Sequence, residues 1–192
     1  MGLAAATVRT PRPTARTRRI LFPLDLAYAR AGIVPPTARA IAPVRIPAPY
    51  DLLLRHERGM TGALERFHGQ PLCVRTLSSI ANGRWYARRV LLVRGDSGRP
   101  VAMGAIRVRL DAFRPRVVSQ ILANDEPFGR VLRQSDLDYR SRPRVFFELT
   151  PNSEMMGVFW MSEPQTLYGR QTEVIVGGRK IGDVVEVLPL VS

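Results

Sequence analysis

The sequence predicts an α+β fold with a single antiparallel sheet of about six strands and helices packed mainly on one face. β-favouring segments follow one another through tight-turn signals, and Asn82-Gly83 and Gly177-Gly178 are the clearest of these. The helical patterns are grouped between the hairpins, which is typical of an antiparallel sheet with separate helices. A length of 192 residues with 45% hydrophobic content allows one well-buried core.

The first element of the body is a helical pattern that begins at Asp51 and continues to Phe67. Gly69 follows it as a stop signal. We expect strands over residues 72–77, 84–93, 101–110, 139–149, 168–176 and 181–188. Two short helices, each with a proline near its first turn, are expected over residues 115–122 and 127–133. Residues 154–161 are apolar without a clear period and receive no assignment.

The N-terminal part, residues 1–50, differs in composition from the rest of the chain. It holds eight arginines, a single acidic residue, Asp25, and eight prolines, which disfavour continuous helix and internal strand. We therefore predict an extended arm over residues 1–50, disordered before about Arg19, followed by one domain over residues 51–192. The arm is expected to contact the body through its apolar side chains, Phe22, Leu24, Leu26, Tyr28 and Ile33.

Composition limits the classes of function. The formal charge of +13 favours anionic partners, although a GC-rich genome would give the same arginine bias. No aromatic residues are interleaved with the arm's arginines, so nucleic acid is not an expected partner. One cysteine, Cys73, and two histidines, His56 and His68, provide no metal-ligand pattern. No apolar run spans a bilayer, and Pro23 and Asp25 interrupt an apparent twin-arginine export signal. These features predict a soluble, cytoplasmic protein, monomeric or weakly dimeric.

Two charges interrupt apolar strands and are the strongest candidates for chemistry. Strand alternation puts Glu186 on one face with Val184 and Leu188, and Arg88 on one face with Tyr86 and Val90. If both faces belong to one core, the arginine could hold a substrate carboxylate and the glutamate could move a proton. The alternative is a cross-strand ion pair on a solvated sheet face, because structural pairs also place charges in strands.

The order of several short segments resembles the chorismate pyruvate-lyase family over roughly residues 55–189. These segments are Met60-Thr61 with Leu64-Glu65, residues 84–92, Gly98-Arg99-Pro100 with Gly104, residues 127–130, Tyr168-Gly169-Arg170, and Gly178 leading to residues 186–189. The resemblance implies elimination of pyruvate from chorismate, giving 4-hydroxybenzoate without a cofactor or metal.

The resemblance also implies roles for individual residues. Arg88 would hold a carboxylate and Glu186 would act as acid or base, which makes these two the catalytic candidates. Met60, Phe128, Gly129 and Arg170 would bind substrate or product, the segment around Gly129 through its backbone. The chain departs from the family pattern at Phe128, where leucine is common, and at Ala105, where an arginine is expected. The register of Glu186 depends on a hairpin whose length differs by one residue.

A second class of function fits the same residues. The effector domains of GntR-type transcription regulators resemble the same fold, so the chain could bind a small aromatic carboxylate without converting it. The proline-rich segment before residue 51 does not provide a winged helix for a standard regulator. Binding without turnover is therefore the alternative to the lyase.

Overall fold

Seven antiparallel strands form one sheet in the computed structural model, which describes residues 20–189. The sheet order is β1-β5-β6-β7-β4-β3-β2, which confirms the predicted fold class and adds one strand. The strands are β1 Thr37–Ile41, β2 Leu72–Asn82, β3 Trp85–Arg94, β4 Pro100–Arg109, β5 Tyr139–Thr150, β6 Leu167–Val176 and β7 Arg179–Leu188.

Six α-helices within residues 20–189 cover the sheet unequally. They are α1 Leu24–Ala31, α2 Tyr50–Leu54, α3 Met60–His68, α4 Pro115–Ala123, α5 Phe128–Gln134 and α6 Ser153–Val158. The face covered by α2, α3, α4 and α5 is called the site face here, and it carries two of the three apolar clusters. Helices α1 and α6 cover the other face with the third cluster. The expectation of helices mainly on one face therefore holds.

The central strands are apolar on both sides because both faces of the sheet are covered. On β3, Tyr86, Val90 and Leu92 pack on the site face, whereas Leu91 packs against the cluster of α1 and α6. This is the period-two alternation of a strand. The charges in the middle of β3, Arg88 and Arg89, are thus enclosed, and the placement of Arg88 among apolar residues needs a physical reason.

The prediction of an extended N-terminal arm is wrong for residues 24–31, which form α1. Within this segment no proline interrupts the helix, and Gly32 ends it with a φ of 67°. Leu24 and Tyr28 are fully buried as expected, but Leu26 is 42% exposed. Strand β1 then pairs with β5 at the edge of the sheet. The disorder predicted before Arg19 lies outside the described residues, and the boundary at residue 50 stays a prediction.

Three other segments differ from expectation. Strand β2 continues to Asn82 because it stays paired with β3 beyond an irregularity between Thr76 and Ser78. The unassigned apolar segment contains α6, and the side chain of Asn152 caps it by accepting a hydrogen bond from Met155 N at 2.9 Å. The helical pattern of residues 51–67 is two helices, interrupted over residues 55–59.

Gly169 on β6 provides a test of the sheet packing. A Cβ at this position would lie 2.5 Å from both Glu186 O and Phe147 Cζ. We predict that Gly169→Ala lowers the free energy of unfolding by about 2–3 kcal/mol through overpacking. Urea denaturation measures the change. The control is Gly157→Ala in α6, where a Cβ has open space and the helix should gain up to about 1 kcal/mol. Equal stability of the two variants would contradict the described packing.

Candidate functional site

A small cavity lies between the site face and the helices α3 and α5. Its volume is about 60 Å³. The walls are mostly apolar and include a few polar side chains. The lining residues are Gly59, Met60, Thr61, Arg88, Val90, Leu92, Ala102, Met103, Gly104, Ile106, Pro127, Phe128, Gly129, Leu132, Tyr139, Ser141, Val174, Val184 and Glu186. An apolar enclosure with a few convergent polar groups is typical of a small-molecule site.

Arg88 is buried in the wall of this cavity and is only partly satisfied. It is 4% exposed, and its Nη2 donates a hydrogen bond to Glu126 O at 2.8 Å. Its Nε and Nη1 have no hydrogen-bond partner within residues 20–189. Burial lowers the pKa of the Arg88 guanidinium from its ordinary value. A buried cation with unused donors is costly, and an anionic ligand would supply the missing acceptors.

Glu186 lines the same cavity, but its ionic partner is not Arg88. Strand β4 lies between β3 and β7, so the two residues are separated by two strand spacings, roughly 10 Å. The Oε2 of Glu186 accepts a hydrogen bond from Nε of Arg170 at 2.6 Å. Glu186 pairs with Gly104 on β4 and with Arg170 on β6. This pairing fixes the register of the final hairpin and places the side chain of Glu186 on the site face. Arg88 and Glu186 therefore do not form the solvated cross-strand ion pair that was the alternative from the sequence.

The surroundings of Arg170 differ from those of a residue that binds substrate or product, which is the role that the resemblance implied. Its side chain is fully buried and is not among the residues lining the cavity. Besides Glu186, it donates to three backbone carbonyls: Leu54 O at 3.0 Å, His56 O at 2.7 Å and Arg58 O at 3.2 Å. These acceptors are the last residue of α2 and two residues of the segment that joins α2 and α3. Arg170 thus holds this segment against the sheet, and its predicted role in direct substrate or product binding stays a prediction.

The three other predicted binding residues line the cavity at the starts of two helices. Met60 is the first residue of α3 and is 3% exposed, and Phe128 is the first residue of α5. Gly129 lies so close to α3 that a Cβ would come within 3.1 Å of Thr61 Oγ1. No side chain caps either helix. Their first backbone N–H groups therefore lie at the cavity end of each helix.

The outer parts of α3 and α5 are joined by a cluster of charges. Glu65 accepts hydrogen bonds from Arg130 at 2.5 Å and from Arg133 at 3.2 Å, and Arg130 also donates to Leu72 O at 3.0 Å. All three charged side chains are partly exposed. Pairs of this kind contribute little stability. The outer parts of the two helices that close the cavity are thus joined by partly exposed ion pairs.

Sequence reasoning missed the hydroxyl groups of the cavity, which come from Thr61, Tyr139 and Ser141. Ser141 is 8% exposed although it lies between Arg140 and Arg142. Strand alternation could have found it, because the flanking arginines point to the opposite face. Ala105, where the family pattern has an arginine, packs on the face covered by α1 and α6 and does not line the cavity. This departure therefore does not change the cavity lining.

A third buried arginine, Arg89, lies on the opposite face of the sheet. Its Nη1 donates to Glu154 Oε1 at 2.8 Å, and its guanidinium lies 4.9 Å from the ring centroid of Tyr28. The hydroxyl of Tyr28 donates to Glu154 Oε2 at 3.0 Å. Burial, followed by the charge of Glu154, raises the pKa of Tyr28. This cluster joins α1, α6 and β3, and the hydroxyl of Tyr28 also lies 3.6 Å from Sδ of Met103, a residue of the cavity lining.

No family model and no curated protein matches the chain. Several solved structures are similar, and two of them, both at low identity, are described here. One is the ligand-binding domain of a GntR-family regulator from Bordetella bronchiseptica, at 13% identity and a TM-score of 0.45 over 62% of this chain and 85% of that one. The other is the C-terminal domain of the histidine utilization repressor from Pseudomonas syringae pv. tomato, at 12% identity and a TM-score of 0.39 over 62% and 91%.

Among residues 20–189, no group of three or more His, Cys, Asp or Glu side chains is placed to hold a metal ion. None of the helices in this part of the chain is long and apolar enough to cross a membrane.

The role of Arg170 can be tested by stability. We predict that Arg170→Lys lowers the free energy of unfolding by about 3 kcal/mol, because an ammonium group cannot reach Glu186 and three carbonyls together. The control is Arg142→Lys, at an exposed pair with Glu173, which should change stability by less than about 1 kcal/mol. Chemical denaturation of both variants gives the comparison. A loss at Arg170 no larger than that at Arg142 would refute a structural role for this guanidinium.

Proposed function

We propose that the protein binds a small aromatic carboxylate in the cavity between the sheet and helices α3 and α5. The observation that carries this proposal is Arg88, whose buried Nε and Nη1 have no acceptor within the described residues. A carboxylate offers two oxygens in the plane and spacing of a guanidinium edge. The mostly apolar lining suits the remainder of such a ligand.

The N-terminal ends of helices α3 and α5 provide a second source of ligand recognition. Helix α3 is nine residues long, has no side-chain cap, and begins at the cavity. Its first N–H groups and the partial positive charge of its N-terminus favour an anion near Arg88. The N-terminal residues of α5, Phe128 and Gly129, lie beside them. A carboxylate held in this corner would leave the ring of the ligand against Val90, Ile106 and Val184.

The size of the cavity requires movement on binding. An engineered apolar cavity that accepts benzene measures roughly 150 Å³, whereas this cavity measures about 60 Å³. Entry of a ring therefore needs α3 and α5 to separate, and the partly exposed pairs of Glu65 are the contacts that would break first. We expect the free protein to be closed and the bound protein to hold a wider cavity.

Elimination of pyruvate from chorismate is the second candidate, and the observation that favours it is Glu186 in the same cavity. In this reaction a base removes the ring hydrogen at C4, and the C–H electron pair becomes a ring double bond. The C3–O bond breaks, and enolpyruvate leaves and takes up a proton to give pyruvate. Because Arg170 occupies Oε2 of Glu186, proton transfer would use Oε1. Arg88 would hold a carboxylate of the substrate.

Binding is tested with 4-hydroxybenzoate as the probe. We predict that Arg88→Met weakens binding at least about 30-fold, the equivalent of about 2 kcal/mol for a lost charged hydrogen bond. Its free energy of unfolding should stay within about 1 kcal/mol of the parent, since the change also removes a buried cation with unused donors. Isothermal titration calorimetry and urea denaturation provide the two readouts.

The matched control for Arg88 is Arg109→Met, an exposed arginine of the neighbouring strand that pairs with Asp111. It should bind 4-hydroxybenzoate like the parent. Unchanged affinity in Arg88→Met, or equal losses in both variants, would remove Arg88 from the site.

Turnover separates the two candidate functions. If the protein is a lyase, incubation with chorismate gives 4-hydroxybenzoate and pyruvate in equal amounts, and Glu186→Gln lowers the rate by about 100-fold or more. Absorbance follows the first product and a coupled assay follows the second. Binding of 4-hydroxybenzoate with no pyruvate formed by the parent protein would assign the chain to non-catalytic binding.

A further inference from the structure

The segment between α2 and α3, residues 55–59, forms part of the cavity wall and depends on one side chain of the sheet. Arg170 donates to the carbonyls of Leu54, His56 and Arg58. Gly59 and the first residues of α3, which line the cavity, follow directly. Residues 55–59 are called the strap here. Displacement of the strap from Arg170 would therefore move one wall of the cavity.

His56 places a titratable ring at the centre of the strap. Its Nδ1 lies 3.4 Å from Nη1 of Arg170. A guanidinium can only donate, so this contact is favourable only when Nδ1 carries a lone pair and the proton of the neutral ring is on Nε2. The Nε2 is buried and has no hydrogen-bond partner within residues 20–189. A second proton would be added at Nδ1, where it would face the donor Nη1 of Arg170 and not an acceptor.

The charges that face His56 come from two strands. Arg170 lies on β6 and lowers the pKa of His56, and Glu186 on β7 raises it. The backbone groups of Arg58 and Leu53 also raise it. Burial is the largest effect and lowers the pKa, so that the net shift is below the ordinary value of 6.5. The neutral imidazole is therefore the form that the folded strap accommodates.

We propose that the strap is a pH-sensitive wall of the binding cavity, which is released when His56 is protonated. Protonation places a second cation against Arg170 and removes the lone pair that faces its Nη1. The strap then moves away from Arg170, and Gly59, Met60 and Thr61 leave their places around the ligand. This inference rests on the proposed binding function and adds regulation of the same site.

The sign of the effect follows from proton linkage. The closed strap holds His56 with a lowered pKa, whereas a released strap returns the ring towards the ordinary value near 6.5. The released state therefore binds more protons, and the closed state loses stability as the pH falls below about 6.5. Above about 6.5 the contribution is fully present. One proton can change the closing equilibrium by at most about tenfold per pH unit.

The first test needs no ligand. The sequence contains two histidines, His56 and His68, so His68→Asn leaves one imidazole signal in the proton spectrum, and its titration reports His56 directly. Hydrogen exchange by mass spectrometry at about pH 7.5 and about pH 5.5, corrected for the intrinsic rate, then reports residues 54–62. We expect a pKa for His56 below 6.5 and a loss of protection in this segment at the lower pH. A pKa at or above 6.5, or equal protection at both pH values, would overturn the proposal.

The second test uses 4-hydroxybenzoate and the variant His56→Asn, whose amide oxygen can accept from Arg170 at the place of Nδ1 but does not titrate. We expect the affinity of the parent to fall about threefold to tenfold from pH 7.5 to pH 5.5. The fall should persist in His68→Asn and disappear in His56→Asn. The same fall in His56→Asn would overturn the proposal. Failure of the proposed function has a different result, because the ligand would not bind at any pH while the strap would still lose protection.

Discussion

The architecture of the site depends on one buried guanidinium, that of Arg170. A charge with no exposed surface is costly to bury and persists only when it is paired and its donors are used. Glu186 provides the opposite charge on the neighbouring strand, and three carbonyls of one short segment use the remaining donors. The result is a single side chain that fixes both the glutamate of the cavity and the segment that leads into α3.

Arg88 shows the opposite condition on the same face of the sheet. It is nearly as buried as Arg170, but one carbonyl is its hydrogen-bond acceptor among the described residues, and two of its nitrogens are unused. The two arginines therefore have different roles. A buried cation whose donors are used stabilises the fold, whereas a buried cation with unused donors lowers the stability by an amount that a ligand can offset. The apolar lining around Arg88 would strengthen its attraction for a carboxylate by excluding water.

Much of this arrangement could be predicted from the sequence. Arg88 and Glu186 were identifiable because each interrupts an apolar strand, and period-two alternation put each on its face. The hairpins at Asn82-Gly83 and Gly177-Gly178 gave most of the sheet. The helix α1 was missed because the density of prolines over the first fifty residues hid a proline-free stretch of eleven, residues 24–34, which contains this helix.

The roles of Arg170 and the strap could not be predicted. The carbonyls that Arg170 binds are 112 to 116 residues away in the chain, and backbone acceptors have no residue-specific pattern. The break between α2 and α3 falls on residues 55–59, which contain no apolar residue and end at Gly59. The sequence could therefore have indicated a break there, but not that the carbonyls of this segment bind Arg170.

We expect the unused donors of Arg88 to receive the carboxylate of a ligand. A crystal structure of the protein with 4-hydroxybenzoate would show this contact. We predict a carboxylate oxygen within hydrogen-bond distance of Nε or Nη1 of Arg88, with α3 and α5 further apart than in the closed protein. A ligand bound outside this cavity, with both nitrogens of Arg88 still without a partner, would contradict it.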